Sequence, residues 1–554
     1  MKVAFKIILF LFAGNTFLSC GISKSLQDKP LLASDGFNKP NIEKKNDSLF
    51  VSGENFLIKN KQQLWELHVS GSELQRGLLI GGLSEDLYKK QEHIFFSKIQ
   101  EMVPSTFKQK LVRQFLKWYN RKLYLHIPEE FKTEIYGVSE YASEDFNDIA
   151  PKYLRSLYLH GAHDIGHALQ DLALVGCSSM AVWGHKSEDG SLLIGRNFDF
   201  YAGDDFAKDK IILFVKPEKG IPFMNVTWGG MIGVLSGMNA EGLTVTINAG
   251  KSDIPLVAKT PISIVTREIL QYASTIDEAI AIARKREVFV SESIMVGSAK
   301  DKKAVLIEMA PDNFEVYEVE NSNQLICSNH FQSKMYQSDK RNIKHIRESH
   351  SQYRFDRMVE LLEEKDKMNP EKMAEILRNK EGLAELHIGF GNEKALNQLR
   401  AHHAVIFKPE QLMVWVSSNP YQLGEFVAYD LKEVFGKMNG DFTVSVKTSE
   451  NIPQDEFLNT TAYADYERFR IFDRRLDKVL KEKLTLETGF AKEYQKLNPD
   501  FWQVYARIGE YYYQKEWYKA AEIEFKKALQ KEITTVPDRK KIEKYLKKIN
   551  KKTG

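Results

Sequence analysis

Cysteine is nearly absent from this sequence: three occur in 554 residues, Cys20, Cys177 and Cys327. Three cannot build a disulfide framework or a four-cysteine zinc site. No sign of charge dominates. Lys and Arg number 78 against 75 Asp and Glu, a net charge of +3, too balanced for a protein that finds nucleic acid by charge. Long apolar runs are missing past the amino terminus, and nothing there approaches the roughly eighteen residues a membrane helix needs. What remains is the composition of a folded chain: 43% hydrophobic and 28% charged residues exclude wholesale disorder. The length corresponds to about four ordinary domains, fewer if one is a large sandwich.

The amino terminus sets basic Lys2 and Lys6 beside an apolar run from Ile7 to Phe12, with a softer stretch to Leu18. This is the pattern of an export signal, too short to span a bilayer stably. It ends at Leu18-Ser19-Cys20-Gly21, which resembles the lipobox of bacterial lipoproteins, with Phe17 where leucine is usual. Residues 1–19 are therefore expected to be a lipoprotein signal peptide and Cys20 the acylated residue. The mature chain would be an exported lipoprotein, held at a membrane by its lipid, on the outer membrane or the periplasmic face. Residues 20–60 are mostly polar, with Pro30, Pro40 and Lys44-Lys45, and read as a tether with little structure of its own.

From residue 61 to 176 the apolar spacing is mainly helical, as in Phe107-Leu111-Phe115-Trp118-Tyr119. The texture changes at Cys177. Short β-rich runs follow at Ser178–His185, Leu192–Phe198, Lys210–Lys216, Met231–Met238 and Leu243–Asn248. Helices are predicted over Pro261–Ala273, Ile276–Ala283, Tyr353–Leu362 and Glu371–Leu377, and more strands at Ile294–Val296, Ala304–Glu308, Val316–Val319, Leu325–Ser328, His403–Phe407 and Leu412–Val416. Runs of strands and runs of helices argue for an α+β fold, with its body over residues 177–440. The last part, 455–554, is helical. Within it Tyr505, Ile508, Gly509, Tyr512, Ala521, Phe525 and Ala528 match tetratricopeptide spacing. One such repeat is short of a free solenoid, so it should stack on the helices of Tyr463–Leu497 or dock on the body. It is also the expected surface for a protein partner.

Cys177 sits in Val175-Gly176-Cys177-Ser178-Ser179. A buried cysteine is usually a small hydrophobe, but the context is unusual. Downstream come Gly195-Arg196-Asn197-Phe198-Asp199-Phe200, then Asn239-Ala240-Glu241-Gly242-Leu243 running into Thr246-Ile247-Asn248-Ala249. Cys327-Ser328-Asn329-His330-Phe331 and Tyr353-Arg354-Phe355-Asp356-Arg357-Met358 follow. In this order the blocks resemble acyl-coenzyme A:isopenicillin N acyltransferases and, more distantly, choloylglycine hydrolases and acid ceramidases. All are N-terminal-nucleophile hydrolases with a nucleophilic cysteine. The resemblance runs from about Leu67-His68-Val69-Ser70-Gly71-Ser72 to about Pro420.

The resemblance implies a four-layer αββα body and a precursor that cuts itself between Gly176 and Cys177. The freed α-amine of Cys177, with an ordinary pKa near about 8, would be the general base for its own thiol. Arg196 corresponds to the arginine beside the thiolate, expected to lower the thiol pKa. Asp199 corresponds to the carboxylate that holds the new amine; the strand must end or bulge between the two. Asn248 and Asn329 correspond to the asparagines around the oxyanion, although either could be a turn cap. Arg354 corresponds to an arginine near the nucleophile, Arg357 is expected in a surface pair with Asp356 or Glu360, and Ser291 matches a family serine. The implied reaction is attack of Cys177 on a linear amide through a thioester, with a small N-acylated amine or amino acid as substrate. Bile salt amidase and ceramidase-like activities are alternatives, as is an inactive surface scaffold. No cofactor is implied. His160, His163 and His167 lie at helical spacing, and His402-His403 could join them, yet no acidic ligands accompany them; packing is the preferred reading over a metal site. The lysine-rich end reads as a solvated helix face.

Overall fold

The computed structural model describes residues 19–32, 37–103, 105–161, 164, 176–201, 203–252, 257–438 and 440–553. The signal segment before Ser19 lies outside them, as do His163 and His167. Cys20 falls in a helix, Ser19–Gln27. Among the described residues no helix is long and apolar enough to cross a membrane.

The reading of residues 20–60 as a tether is overturned. Strands β1 (Glu43–Asn46), β2 (Leu49–Ser52) and β3 (Asn55–Lys59) form a meander that joins β4 (Trp65–Gly71). The physical reason is local. Leu49-Phe50-Val51 and Phe56-Leu57-Ile58 flank a turn at Gly53, and they bury Val51, Phe56 and Leu57 against the body.

Thirteen further strands complete two sheets. They are β5 (Ser178–Val182), β6 (Leu193–Phe198), β7 (Ile211–Pro217), β8 (Phe223–Thr227), β9 (Ser236–Asn239), β10 (Leu243–Ala249), β11 (Glu292–Ser298), β12 (Lys303–Ala310), β13 (Asn313–Tyr317), β14 (Gln324–Cys327), β15 (His403–Lys408), β16 (Met413–Ser417) and β17 (Phe426–Asp430). One sheet runs β1-β2-β3-β4-β7-β8-β9-β10-β11-β12-β13, the other β14-β5-β6-β15-β16-β17. The β4–β7 pair is parallel, which requires a long crossover; the helical segment and the β5–β6 hairpin supply it. Of the expected strand Met231–Met238, only its last residues are extended, in β9.

Side-chain alternation sorts the layers. Between the sheets, Ile194 and Val405 of one meet Phe214, Met295 and Leu306 of the other. Their chain neighbours Leu193, Ala404 and Ile406 face the opposite way, onto Met358, Leu361, Met373 and Leu377 of the helices Ser351–Glu363 and Pro370–Leu377. The far face of the larger sheet, with Leu213, Val245 and Ile294, packs on the helices Glu129–Ser139, Lys152–His160 and Ile262–Tyr272. This is a four-layer αββα arrangement, the one that the resemblance implies.

In the outer layer, the helices Glu73–Leu83 and Glu129–Ser139 touch backbone to backbone. A Cβ on Gly77 would lie 2.1 Å from the Glu134 carbonyl oxygen. The C-terminal region is helical, as expected, and not free-standing. Phe469, Tyr494, Trp502, Ile508 and Phe525 share one core with Leu399 and Leu423 of the body.

Candidate active site

Cys177 immediately precedes β5 and is buried. Cross-strand pairing of Ser179 with Arg196 brings the Arg196 guanidinium to the thiol, with Nη2 donating to Sγ at 3.7 Å. The same guanidinium is fixed by the Leu235 carbonyl at 3.1 Å, by Ser236 Oγ and the Ile247 carbonyl, and it stacks on Phe198. β6 ends at Phe198, which frees Asp199 to turn back toward the nucleophile, as its spacing from Arg196 requires. The Asp199 carbonyl accepts from the Gly176 N–H at 3.2 Å.

Arg354, in the helix Ser351–Glu363, reaches the same point from the opposite side. Its Nη1 donates to the Cys177 carbonyl at 2.6 Å and to Ser178 Oγ at 2.9 Å, and Nη2 donates to Asn329 Oδ1 at 2.6 Å. The structure therefore gathers Gly176, Cys177, Arg196, Asp199, Asn329 and Arg354 into one cluster. Asn248 joins through Ser179, whose hydroxyl donates to Asn248 Oδ1 at 2.7 Å. The Asn248 amide, however, donates to the carbonyls of Cys327 at 3.1 Å and Ser328 at 3.2 Å. The Asn329 amide donates to the Ala249 carbonyl at 3.0 Å. In this conformation both asparagines tie β10 to the end of β14.

Burial dominates the electrostatics. It pushes the Cys177 thiol up to about 11, with Arg196 pulling the other way, so the expected depression of the thiol does not hold in the continuous chain. A cation 3.7 Å away recovers less than full desolvation takes. Burial also raises Asp199 to about 7, against Arg354, Arg400 and Arg196. Among the described residues no donor makes a well-formed hydrogen bond to either Asp199 carboxylate oxygen, and the Gln422 amide is the side chain that approaches it. The thiols of Cys177 and Cys327 are free and not joined.

Other expectations move. Arg357 does pair with Glu360, one of its two expected partners, at 2.7 Å, but it is buried and not on the surface, and it pairs with Glu385 as well, because the chain after Leu377 folds back over its helix. His160 is a packing histidine, held by the Ser156 carbonyl at 2.8 Å and receiving the Ile232 N–H at 3.0 Å. His402 and His403 are buried against each other, Nδ1 to Nδ1 at 2.8 Å, and burial holds both well below the usual histidine range. Ser291 is buried, and its carbonyl accepts from Gly250 at 2.7 Å. Sequence reasoning missed Gln398, whose amide Nε2 donates to the Gly176 carbonyl at 3.1 Å. It also missed Gln422 and Arg400, whose side chains act on Asp199. No motif marks these residues; Gln398 and Arg400 come from the loop before β15 and Gln422 from the loop between β16 and β17, which only the tertiary fold brings to the site.

Residues 185–417 match the family model described as acyl-coenzyme A:6-aminopenicillanic acid acyl-transferase. The match begins just past Cys177 and includes Arg196, Asp199, Asn248, Asn329 and Arg354. An uncharacterized protein of Archaeoglobus fulgidus is 24% identical over 34% of this chain and 34% of its own length. Protein dcd1B of Dictyostelium discoideum is 22% identical over 50% of this chain. The chain spans only 34% and 55% of the lengths of these relatives. Among solved structures, the chain is similar to a Caenorhabditis elegans N-acylethanolamine-hydrolyzing acid amidase ortholog, at 19% identity and TM-score 0.32, covering 42% of this chain and 93% of that one. It is also similar to a conjugated bile acid hydrolase of Clostridium perfringens, at 14% identity and TM-score 0.33, covering 46% and 93% of the two chains. Penicillin V acylase of Agrobacterium tumefaciens matches at 11% identity and TM-score 0.30, covering 46% and 87%.

Proposed function

We propose, from the match of residues 185–417 to the acyl-coenzyme A:6-aminopenicillanic acid acyl-transferase family model, that the chain is a self-activating cysteine amidase of linear N-acyl bonds. The observation that carries this reading is the Asp199 carboxylate. It is buried beside Cys177, its own backbone is bonded to Gly176, and among the described residues only the Gln422 amide approaches it as a donor, short of good hydrogen-bond geometry. A buried carboxylate left so is costly. Cutting between Gly176 and Cys177 creates an α-ammonium at Cys177, a donor of the charge and position such a group lacks.

In self-cleavage the Cys177 thiol gives up its proton and Sγ bonds to the Gly176 carbonyl carbon. The C–N bond to Cys177 breaks as its nitrogen takes a proton, leaving a thioester. Water then adds to that carbonyl, and the thiol is regenerated with a new carboxylate at Gly176. In turnover the neutral α-amine takes the thiol proton and Sγ attacks the substrate amide. The amine leaves protonated and water releases the acid. Arg196 fixes the sulfur, Asp199 holds the α-amine, and Arg354 holds the Cys177 backbone in place. The preferred substrate is an N-acylated amine or amino acid; bile salt and ceramide amides are further substrates to be compared. Hydrolysis is favoured over coenzyme-A-dependent transfer because an exported chain has no evident acyl-coenzyme A supply. The proposal includes an anchor at Cys20, tested by labelling with a fatty acid that Cys20→Ala abolishes.

Intact-mass analysis tests the core of the reading. Two fragments meeting at Gly176 and Cys177, lost in Cys177→Ala, are expected. An uncut chain whose Cys177 does not react would overturn it. N-acyl amino acids, bile salts and ceramides assayed on the wild type and Cys177→Ala then sort the substrate.

A further inference from the structure

We infer that Gln398 is a catalytic residue of self-cleavage, the donor that stabilises the oxyanion on the Gly176 carbonyl. The inference rests on the self-activating reading above and assigns a group to its first step.

Three observations carry it. The Gln398 amide is buried, and Nε2 donates to the Gly176 carbonyl oxygen at 3.1 Å. That oxygen belongs to the bond to be cut, so its negative charge develops where a neutral donor already points. A preorganised donor of this kind, in a site closed to water, acts more strongly on the developing charge than on the ground-state carbonyl. The second observation is steric. A Cβ at Gly176 would lie 2.1 Å from Gln398 Nε2. Gly176 does not adopt a left-handed φ, so the glycine serves this close approach and not backbone strain. The two residues are complementary: only a residue without a side chain lets the amide lie against the scissile bond.

The third observation is how firmly Gln398 is held. Before it, Asn397 Nδ2 donates to the Tyr421 carbonyl at 3.1 Å, and its N–H to the Asn379 carbonyl at 2.8 Å. After it, Leu399 takes a φ of 51° and buries its side chain in the core of the C-terminal helices. The Leu399 N–H is bonded to Asn397 Oδ1 at 2.9 Å. The expected oxyanion asparagines, Asn248 and Asn329, donate to other backbone carbonyls here, so they do not duplicate Gln398 at this bond.

As Cys177 Sγ bonds to the Gly176 carbon, the carbonyl π pair moves onto oxygen, and the Gln398 N–H shortens onto it without giving up its proton. When the C–N bond breaks, the pair returns and the thioester carbonyl forms. No proton is transferred by Gln398.

Processing of freshly made full-length chain is followed by mass and gel for the wild type, Gln398→Met and Gln398→Glu, with thermal melting of each as a folding control. Gln398→Met keeps the volume and removes the donor; its processing is expected to slow by about a hundredfold or more. Hydroxylamine, which cleaves thioesters, is expected to leave it uncut, because no thioester forms. Gln398→Glu donates only when protonated, so its processing, measured relative to the wild type at each pH, should recover as pH falls. That reversal is not moved by a merely structural role, and it keeps the test available if the methionine variant does not fold. Processing of a folded Gln398→Met at the wild-type rate, its rescue by hydroxylamine, or a Gln398→Glu ratio that does not change with pH would overturn the inference alone. A wild type that is never cut would instead overturn the self-activating reading.

Discussion

Glu134 accepts a hydrogen bond from Arg267 at 3.1 Å, across the proposed cut: one residue precedes Gly176 and the other follows Cys177. Arg76 donates to the same oxygen at 2.7 Å, and all three side chains are buried. Burial alone would raise the Glu134 carboxyl, but the two arginines hold it below its ordinary value. Removing the carboxylate leaves two buried cations facing each other. Glu134→Gln is therefore expected to cost about 3–5 kcal/mol and to let the two chains separate at lower denaturant once cut. The group's folded pKa is depressed, so its contribution is present above the unfolded value of 4.5 and lost as pH falls below it. Melting curves should show the wild-type advantage at pH 7 shrinking below pH 4; an advantage that did not change with pH would sink this account.

Asp199 titrates in the opposite sense. Its folded pKa is raised to about 7 from 3.8. The stability it contributes is complete below the unfolded value and is lost as pH rises through the folded one. In a Cys177→Ala background, where no α-amine forms, Asp199→Asn should melt at the same temperature as its parent near pH 4. It should be more stable by about 2–4 kcal/mol near pH 8. Equal melting at both pH values would remove the strain on which the functional reading depends.

Self-cleavage has its own pH signature. With the thiol pushed up to about 11, the reactive thiolate grows about tenfold for each pH unit well below that value. The initial rate of processing should climb across pH 6–9 without levelling. A plateau near pH 7 would contradict this and identify Asp199, whose carboxyl titrates there, as the proton acceptor.

The site was legible where chemistry is local in the chain. Arg196 and Asp199 lie three residues apart on one hairpin arm, and the end of β6 at Phe198 follows from what that spacing must do. Arg354 was found because its block is short and ordered relative to the others, while its neighbour Arg357 was misplaced because Glu385 reaches it only through the return of the chain. Asn248 was placed at the right strand end, but its amide direction depends on β14, which no local pattern encodes. Gln398 is 222 residues from Gly176 and sits in a loop with no periodicity. β8 went unread because Asn225 and Thr227 interrupt its apolar run; both are buried all the same, Asn225 donating to the Gly233 carbonyl at 3.3 Å and Thr227 to the Met231 carbonyl at 3.1 Å, bonds that no local pattern encodes. β2 and β3 were hidden by the polar average of the segment around them.

The C-terminal helices hold the loop that carries Gln398, which separates a brace from an independent recruiting module. Asn498 and Phe390 bond reciprocally: the Phe390 N–H donates to Asn498 Oδ1 at 3.1 Å, and Asn498 Nδ2 donates to the Phe390 carbonyl at 2.8 Å. Beside them Asn392 Nδ2 donates to the Glu532 carbonyl at 3.0 Å, and Thr534 links Trp502 Nε1 to Asn392 Oδ1. Gly389 has φ 82°, and a Cβ there would lie 2.3 Å from the Phe501 nitrogen, so the loop and the helices fit backbone to backbone. Asn498→Ala strips partners from two backbone groups at once, which at about 1–3 kcal/mol for each is enough to loosen residues 388–400. It should slow processing several-fold and lower the melting temperature, while Lys551→Ala at the exposed end changes neither. A chain ending at residue 454 should be insoluble or uncut, because Leu399 and Leu423 lose the core that covers them. A folded truncation that matured at the full rate would show the tail to be separable, and its surface would then be free for the partner that its repeat-like spacing suggested.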